Sequence, residues 1–195
     1  MARARPTPPS PWTVEEFLVW ERDQPDCYEF YSGFIRMMVG GTLDHNTIAG
    51  NIMATLRSRL RGGPCRAFME GCKVTSGSEV MYPDVVITCS AVNAKSDVVP
   101  EPVVVFEVLS RSTESFDRGQ KWLAYQSIPS LRQYVLVSQD ELRVDVYDRA
   151  EAGWSYRVLS VPEATLKLAA GQVELAMAEI YEGSSLDPAR QTATA

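Results

Sequence analysis

Hydrophobic and polar positions follow the period of a helix in some segments of the chain and the period of a strand in others. Over residues 45–60, apolar side chains recur every three or four positions, which predicts an amphipathic helix that ends at Gly62-Gly63-Pro64. Thr13 is placed to cap an earlier helix, which ends before Pro25. A short last helix is predicted over residues 175–181.

Strand patterns fill most of the remaining chain. Residues 28–38 predict two strands joined at Ser32-Gly33, because glycine readily supplies the positive φ that a tight hairpin needs. Further strands are predicted from about residue 67 and over 82–87, 103–109, 131–137, 142–147 and 154–159. In the segment 142–147, Arg143 and Asp145 alternate with apolar residues, which predicts one face in solvent. The order of elements predicts an α/β (α+β) fold, a mixed β-sheet flanked by helices.

The length and composition are those of one compact domain, with 195 residues of which 45% are hydrophobic. We expect a disordered lead-in over residues 1–11, a single domain over 12–183 and a flexible tail over 184–195. The formal net charge of −6 is the opposite of that of proteins that coat nucleic acid, so any contact with DNA must be local. Candidate residues for a local basic face are Arg57, Arg59, Arg61, Arg66 and Lys73. The alternative is that the helix arginines only offset the helix dipole.

Several classes of site are excluded by the residues that the chain lacks. The single histidine, His45, rules out multi-histidine metal sites, and no GxSxG, GxxxxGK[ST] or GxGxxG motif occurs. The cysteines Cys27, Cys65, Cys72 and Cys89 form no CxxC pair, and we expect reduced, buried thiols. No run of about 18 apolar residues predicts a membrane span, and we expect a cytoplasmic protein.

Glu107 is the most informative residue, because it interrupts the apolar strand at 103–109. A carboxylate buried there must be paired, protonated or bound to a cation. Asp84 follows Pro83 at the start of another apolar strand. If the two strands are neighbours, both carboxylates converge at one end of the sheet, as in a Mg²⁺ site. Alternatively, Asp84 caps a turn and Glu107 pairs with an arginine.

A helix predicted to start at Ser112-Thr113-Glu114 carries Asp117 and Lys121 four residues apart on one face. These two residues could form an exposed ion pair without a function. Lys121 could also direct its ammonium group toward the end of the Glu107 strand, where it would face a metal-bound water or a phosphate.

These residues together resemble the signature of the Uma-type restriction endonuclease family, which belongs to the PD-(D/E)xK nuclease superfamily. The resemblance covers about residues 13–182. It is carried by Pro83-Asp84, Glu107-Val108-Leu109-Ser110, Ser112-Thr113, Asp117-Arg118, Lys121 and Tyr125, with weaker similarity at Tyr28-Glu29, Gly33 and His45.

The resemblance implies a restriction-endonuclease-like core and a divalent-metal-dependent endonuclease that hydrolyses DNA phosphodiester bonds. Asp84 and Glu107 would be metal ligands, joined by the carbonyl of Val108, with Mg²⁺ as the cofactor and Mn²⁺ as a substitute. Leu109 stands where the superfamily has its lysine, which makes Lys121 the candidate catalytic lysine. Glu29 would be an additional ligand or base.

The same resemblance suggests His45, Ser110 and Asp117 as substrate-binding residues, and a homodimer as the assembly. For His45, the alternative is a helix cap or packing role. The alternative function is a catalytically inactive nuclease-fold module that binds nucleic acid or protein partners. A third possibility, an unrelated α/β protein with structural carboxylates, requires that the two carboxylate-bearing strands are not adjacent.

Overall fold

The computed structural model describes residues 12–38, 40–69 and 71–192. Helix α1 (Val14–Glu21) begins with a capping box, in which the Thr13 hydroxyl accepts from the Glu16 amide and the Glu16 carboxylate accepts from the Thr13 amide. Strands β1 (Tyr28–Tyr31) and β2 (Phe34–Met37) form the expected hairpin.

Helix α2 (Leu43–Arg59) matches the predicted amphipathic helix, although it begins two residues earlier. Its buried side chains, which include Ile48, Ile52 and Leu56, recur at the spacing that the sequence indicates. Gly62, with φ +79°, takes the left-handed conformation in the turn that follows, where a glycine is strongly favoured.

The remaining elements follow in chain order. The strands are β3 (Arg66–Met69), β4 (Val74–Ser76), β5 (Glu79–Met81), β6 (Val85–Thr88), β7 (Pro102–Leu109), β8 (Gln133–Ser138), β9 (Val144–Ala150), β10 (Gly153–Leu159), β11 (Thr165–Lys167) and β12 (Glu174–Ala176). Between β7 and β8 lie α3 (Glu114–Phe116), a π-helical turn (Asp117–Lys121) and α4 (Trp122–Gln126), and the described chain ends with α5 (Met177–Tyr181) and α6 (Pro188–Thr192).

A six-stranded sheet in the order β10-β9-β8-β7-β6-β3 forms the centre of the molecule. It is mixed, as predicted, because β7 and β8 run parallel while the other neighbours are antiparallel. Alternate residues of β7 enter separate hydrophobic clusters, one with α2 and α5 and the other with α4. Side chains of β7 point alternately to the two faces of the sheet, and Glu107 points to the face that α4 covers. Its side chain therefore faces the segment that carries Lys121.

A second sheet, in the order β2-β1-β5-β4, packs its own small cluster of apolar residues against α1. Strands β4 and β5 lie in the chain between β3 and β6, two neighbouring strands of the central sheet. The chain therefore leaves the central sheet after β3, adds two strands to the smaller sheet and returns at β6, and we call this connection the excursion. Because β1 pairs with β5 of this excursion, Glu29 of β1 lies close to Lys121, which also contacts Glu107 of β7.

The prediction of four reduced, buried thiols is wrong. Cys65 and Cys89 form a disulfide, and Cys27 is exposed. The register of β3 against β6 pairs Arg66 with Thr88, so the residues just outside the two strands face each other. Cysteine spacing could not reveal this pair, because strand register determines it.

Asp145 is also placed differently from the prediction of a face in solvent. It is 1% exposed, and its carboxylate receives hydrogen bonds or ion pairs from Arg118, Arg143 and Tyr156. The alternating pattern identified the strand correctly. It could not show that helical and neighbouring-strand side chains cover the polar face.

The first residues of the predicted tail make specific contacts with the fold. Ser184 is buried and donates to the carbonyl of Tyr181, while Ser185 donates to Asp44 at the start of α2. Small polar residues here make specific hydrogen bonds, which composition alone does not indicate. The predicted lead-in at 1–11 and the end of the tail at 193–195 lie outside the described residues. Within the described chain, no helix has the length and apolarity needed to span a membrane.

Candidate active site

Asp84 and Glu107 lie side by side at one end of the central sheet. Strands β6 and β7 are antiparallel neighbours, and Val85 pairs with Phe106, so Asp84 faces the position of Glu107. Oδ2 of Asp84 accepts a hydrogen bond of 2.6 Å from the amide of Val108. Because the two strands are adjacent, the third possibility, an unrelated α/β protein with structural carboxylates on separated strands, is excluded. The expected convergence of the two carboxylates is therefore present.

Lys121 reaches the same place from the π-helical turn. Its ammonium nitrogen lies 3.0 Å from Oε1 of Glu107, 3.0 Å from Oε1 of Glu29 and 3.4 Å from Oδ1 of Asp117. All four side chains are at least nine-tenths buried. An exposed ion pair between Asp117 and Lys121 is thus excluded. Single π-helical turns often occur at functional sites, and this one contributes both residues to the pocket.

Glu29 is held from the smaller sheet. It lies on β1, and its Oε1 accepts a hydrogen bond of 3.2 Å from the amide of Tyr82, two residues before Asp84. The smaller sheet therefore closes one side of the pocket and supplies a third carboxylate near Lys121.

The pocket contains more negative than positive charge. We call it the carboxylate pocket and define it by Glu29, Asp84, Glu107, Asp117 and Lys121. Burial raises the pKa of Glu107 well above its usual range; Lys121 opposes the rise, and the nearby carboxylates add to it. Burial likewise raises the pKa of Asp117. A cation in the pocket would offset this repulsion and favour the ionised carboxylates.

Lys121 itself stays protonated. Burial lowers its pKa, but the charges of Glu107 and Glu29 outweigh burial and leave the pKa well above the usual lysine value. The group is therefore a fixed positive charge and hydrogen-bond donor. It is unsuited to removing a proton from water.

His45 stands at the first turn of α2, with its Nε2 3.3 Å from Oδ2 of Asp84. Burial lowers the pKa of His45, but the hydrogen bond and charge of Asp84 outweigh burial and give a net rise. Its amide donates to Thr42, which caps the helix, so the cap is Thr42 and the imidazole is directed into the pocket. The buried Nδ1 has no hydrogen-bond partner in the part of the chain that the structure describes.

The remaining predicted residues also line this pocket. The Val108 backbone lies beside Asp84 and His45. Its amide donates to the Asp84 carboxylate, and the Val108 backbone also forms a hydrogen bond with the His45 imidazole. Ser110, half-buried, lies just past β7 and is 3.0 Å from the hydroxyl of Thr113. All eight residues proposed from the sequence therefore line one cavity, of about 80 Å³.

The donor chemistry fits a hard divalent cation. A volume of about 80 Å³ holds several waters. Among residues 12–38, 40–69 and 71–192, no three His, Cys, Asp or Glu side chains are arranged to hold a metal ion. Mg²⁺ commonly takes only one or two protein carboxylates and completes its octahedron with waters and phosphate oxygens. Asp84 and Glu107 provide such a pair.

Two tyrosines to which the sequence analysis gave no role lie close to Glu107 and Lys121. Tyr125 donates a hydrogen bond of 3.0 Å to Oε1 of Glu107, and its position four residues after Lys121 was the available signal. Tyr31 is 4% exposed, and its hydroxyl has no partner among the described residues. It lies near Lys121, Glu29 and Glu107, since their charges affect its pKa.

Comparisons with known structures agree with the fold. A crystal structure described as a putative nuclease from Anabaena variabilis superposes with a TM-score of 0.74, covering 88% of this chain and 98% of that one at 20% sequence identity. At this identity the match supports the restriction-endonuclease-like fold and not a shared activity.

Sequence relatives were found in Synechocystis sp. The uncharacterized protein slr1290 is 35% identical over 152 residues, which cover 76% of this chain and 80% of that protein. The uncharacterized protein sll1609 is 28% identical over 142 residues, or 70% of this chain and 80% of that protein. The family model Uma2, described as putative restriction endonuclease, matches residues 14–178. This chain, whose carboxylates and lysine meet as the family resemblance predicts, therefore belongs to the Uma2 family.

Proposed function

We propose that this protein is a Mg²⁺-dependent endonuclease that hydrolyses phosphodiester bonds of DNA. The observation that carries the proposal is the convergence of Asp84, Glu107 and Lys121, from three different elements, in one buried pocket. The description of the Uma2 family as putative restriction endonucleases supports the class of reaction. A homodimer remains our expectation from the family resemblance, and action in the cytoplasm remains our expectation from the sequence.

Asp84 and Glu107 would hold the cation, and the adjacent Val108 carbonyl would join them. Bound Mg²⁺ supplies a water of lowered pKa and offsets the charge that builds up on the phosphate. Mn²⁺ would substitute at the same oxygen ligands.

The other residues of the pocket position charge and substrate. Lys121 would donate a hydrogen bond to the attacking water or to a phosphate oxygen. Glu29 and Asp117 hold its ammonium group in place from two sides. His45 would orient Asp84 and contact the phosphate, and Ser110 lies at the rim, where the substrate would enter.

A cleavage assay tests the proposal directly. Long genomic DNA is the substrate, because it contains every short recognition site, and it is incubated with Mg²⁺ or with EDTA. We expect wild type to fragment the DNA only with the metal, and Asp84→Asn to lose about 100-fold or more of the rate. The matched control is Asp140→Asn, which changes an exposed carboxylate in a surface ion pair with Arg111. Equal rates for Asp84→Asn and wild type would refute the proposed site.

One observation favours the second candidate, a non-catalytic module. Leu109, at the usual position of the superfamily lysine, is buried in the core, and Lys121 lies between three carboxylates as a structural counterion would. Calorimetric titration of Mn²⁺ in the presence of a short DNA duplex separates the two functions. Binding that disappears in Asp84→Asn supports the endonuclease. A folded wild type that neither binds Mn²⁺ nor cleaves DNA supports the module.

A further inference from the structure

A second and larger cavity, of about 690 Å³, lies between the C-terminal half of α2 and the edge strand β3. Its lining includes the exposed residues Arg57, Arg61 and Arg66, and we call it the arginine groove. None of its described lining residues is acidic. In a chain of net charge −6, the groove is a local positive surface.

The three arginines are available for a ligand. Their side chains make no ion pair or hydrogen bond with the residues that the structure describes. Arg59, on the same helix, differs, because it pairs with the carboxylate of Glu179 and the carbonyl of Glu174. Arg57 lies in the last turn of α2 and Arg61 in the turn that follows it, and both line the groove, whereas Arg59 contacts α5 through Glu179.

The two elements that line the groove, α2 and β3, both extend from the carboxylate pocket. Met69, at the end of β3, pairs with Val85, the residue after Asp84. Arg66 is three residues back along this strand, or about 10 Å. On the other wall, α2 begins beside the pocket at His45 and reaches Arg57 after about 18 Å.

These distances match the spacing of a nucleic-acid backbone. Phosphates of one DNA strand succeed each other at about 3.4 Å of axial rise, so 10–18 Å corresponds to roughly three to five nucleotides. Guanidinium groups bind phosphate oxygens in pairs of parallel hydrogen bonds. We propose that the arginine groove binds the sugar-phosphate backbone of duplex DNA, three to five nucleotides from the bond that lies in the carboxylate pocket. The location of that bond rests on the proposed function.

A second copy of the chain is the competing occupant, because β3 is an edge strand with unpaired backbone groups. Two copies joined through this edge by a two-fold axis would bring both sets of arginines together. Like charges opposed across strands are unfavourable, so the charge of the groove favours DNA.

Fluorescence anisotropy with a labelled 20-base-pair duplex in EDTA tests this proposal, because cleavage cannot occur there. The variant combines Arg57→Gln, Arg61→Gln and Arg66→Gln. We expect at least about a tenfold loss of affinity, and a log–log salt dependence that is shallower by about 0.9 for each arginine removed. The control is Arg132→Gln, which removes an exposed arginine just before β8 and should leave both quantities unchanged.

The outcomes separate the two proposals. Unchanged affinity in the folded triple variant, or no DNA binding by wild type, overturns the groove proposal. So does a change in sedimentation mass without a change in DNA affinity, which identifies the groove as an interface between copies. Arginine-dependent binding by a protein that never cleaves DNA supports the groove and refutes the hydrolytic function.

Discussion

Lys121 balances three buried carboxylates, and the free energy of unfolding should depend on it strongly. Removing one partner of a buried ion pair leaves uncompensated charge and typically costs about 3–5 kcal/mol. We expect Lys121→Met to lose a similar amount, measured by urea unfolding at neutral pH, and to lose DNA cleavage while Mn²⁺ affinity changes little. Lys167→Met is the control, because Lys167 is 78% exposed and its pair with Glu174 is weak. Cleavage by Lys121→Met at the wild-type rate would remove Lys121 from the mechanism.

At this scale, the sequence predicted the candidate site well. A carboxylate within an apolar strand must be compensated, and a lysine four residues from another carboxylate has a defined direction on a helix. Those two arguments allowed Glu107, Asp117 and Lys121 to meet but left an exposed Asp117–Lys121 pair open, and the family resemblance then favoured a shared site. The contact of Tyr125 with Glu107 was missed, since an aromatic residue on a helix is usually a core residue and its hydroxyl partner is set by tertiary packing.

The helical segment between β7 and β8 is fixed to the central sheet by Asp145 of β9. Oδ2 of Asp145 lies 2.7 Å from Arg118, within the π-helical turn, and Oδ1 accepts a 2.6 Å hydrogen bond from Tyr156. Burial raises the pKa of Asp145, but these hydrogen bonds and that of Arg143 outweigh burial and leave the pKa below the ordinary value of 3.8. The ionised carboxylate therefore helps hold the turn that carries Lys121.

Asp145→Asn should therefore destabilise the protein in a pH-dependent manner. The folded-state pKa is lowered, so the stabilisation is complete above the unfolded-state value and is lost as pH falls through the folded-state pKa. We expect a loss of about 2 kcal/mol at pH 5 and pH 7, and a smaller difference from wild type below about pH 3.8, measured by urea unfolding. Glu174→Gln, which alters a more exposed carboxylate, is the control. A difference that is the same at pH 3 and pH 7 would contradict the role of the charge.

Elements were predictable where their patterns are local. The helix at 43–59 and the strand at 102–109 follow from their own sequences, because apolar periodicity and length decide them. Two features required knowledge of distant partners. The burial of Asp145 depends on Arg118, and the disulfide depends on the register of β3 against β6.

At the scale of the whole molecule, the Cys65–Cys89 disulfide links β3 and β6, two neighbouring strands of the central sheet. It closes the base of the excursion from β3 to β6, which contains β4, β5 and Asp84. The bond restricts the unfolded chain over a sequence separation of 24 residues. A loop of this size predicts a stabilisation of about 3 kcal/mol.

The double variant Cys65→Ala and Cys89→Ala should therefore lose about 3 kcal/mol, or about 6–12 °C in Tm for a domain of this size. Thermal unfolding with and without dithiothreitol measures the effect, and the reductant should destabilise wild type but not the double variant. The control changes Cys27 and Cys72 to Ala, which leaves the disulfide and its sensitivity to reductant intact. Thiol titration of the denatured, unreduced wild type should find two reactive thiols. Four thiols, with the same Tm in both buffers, would show that the excursion is held by strand pairing and packing alone.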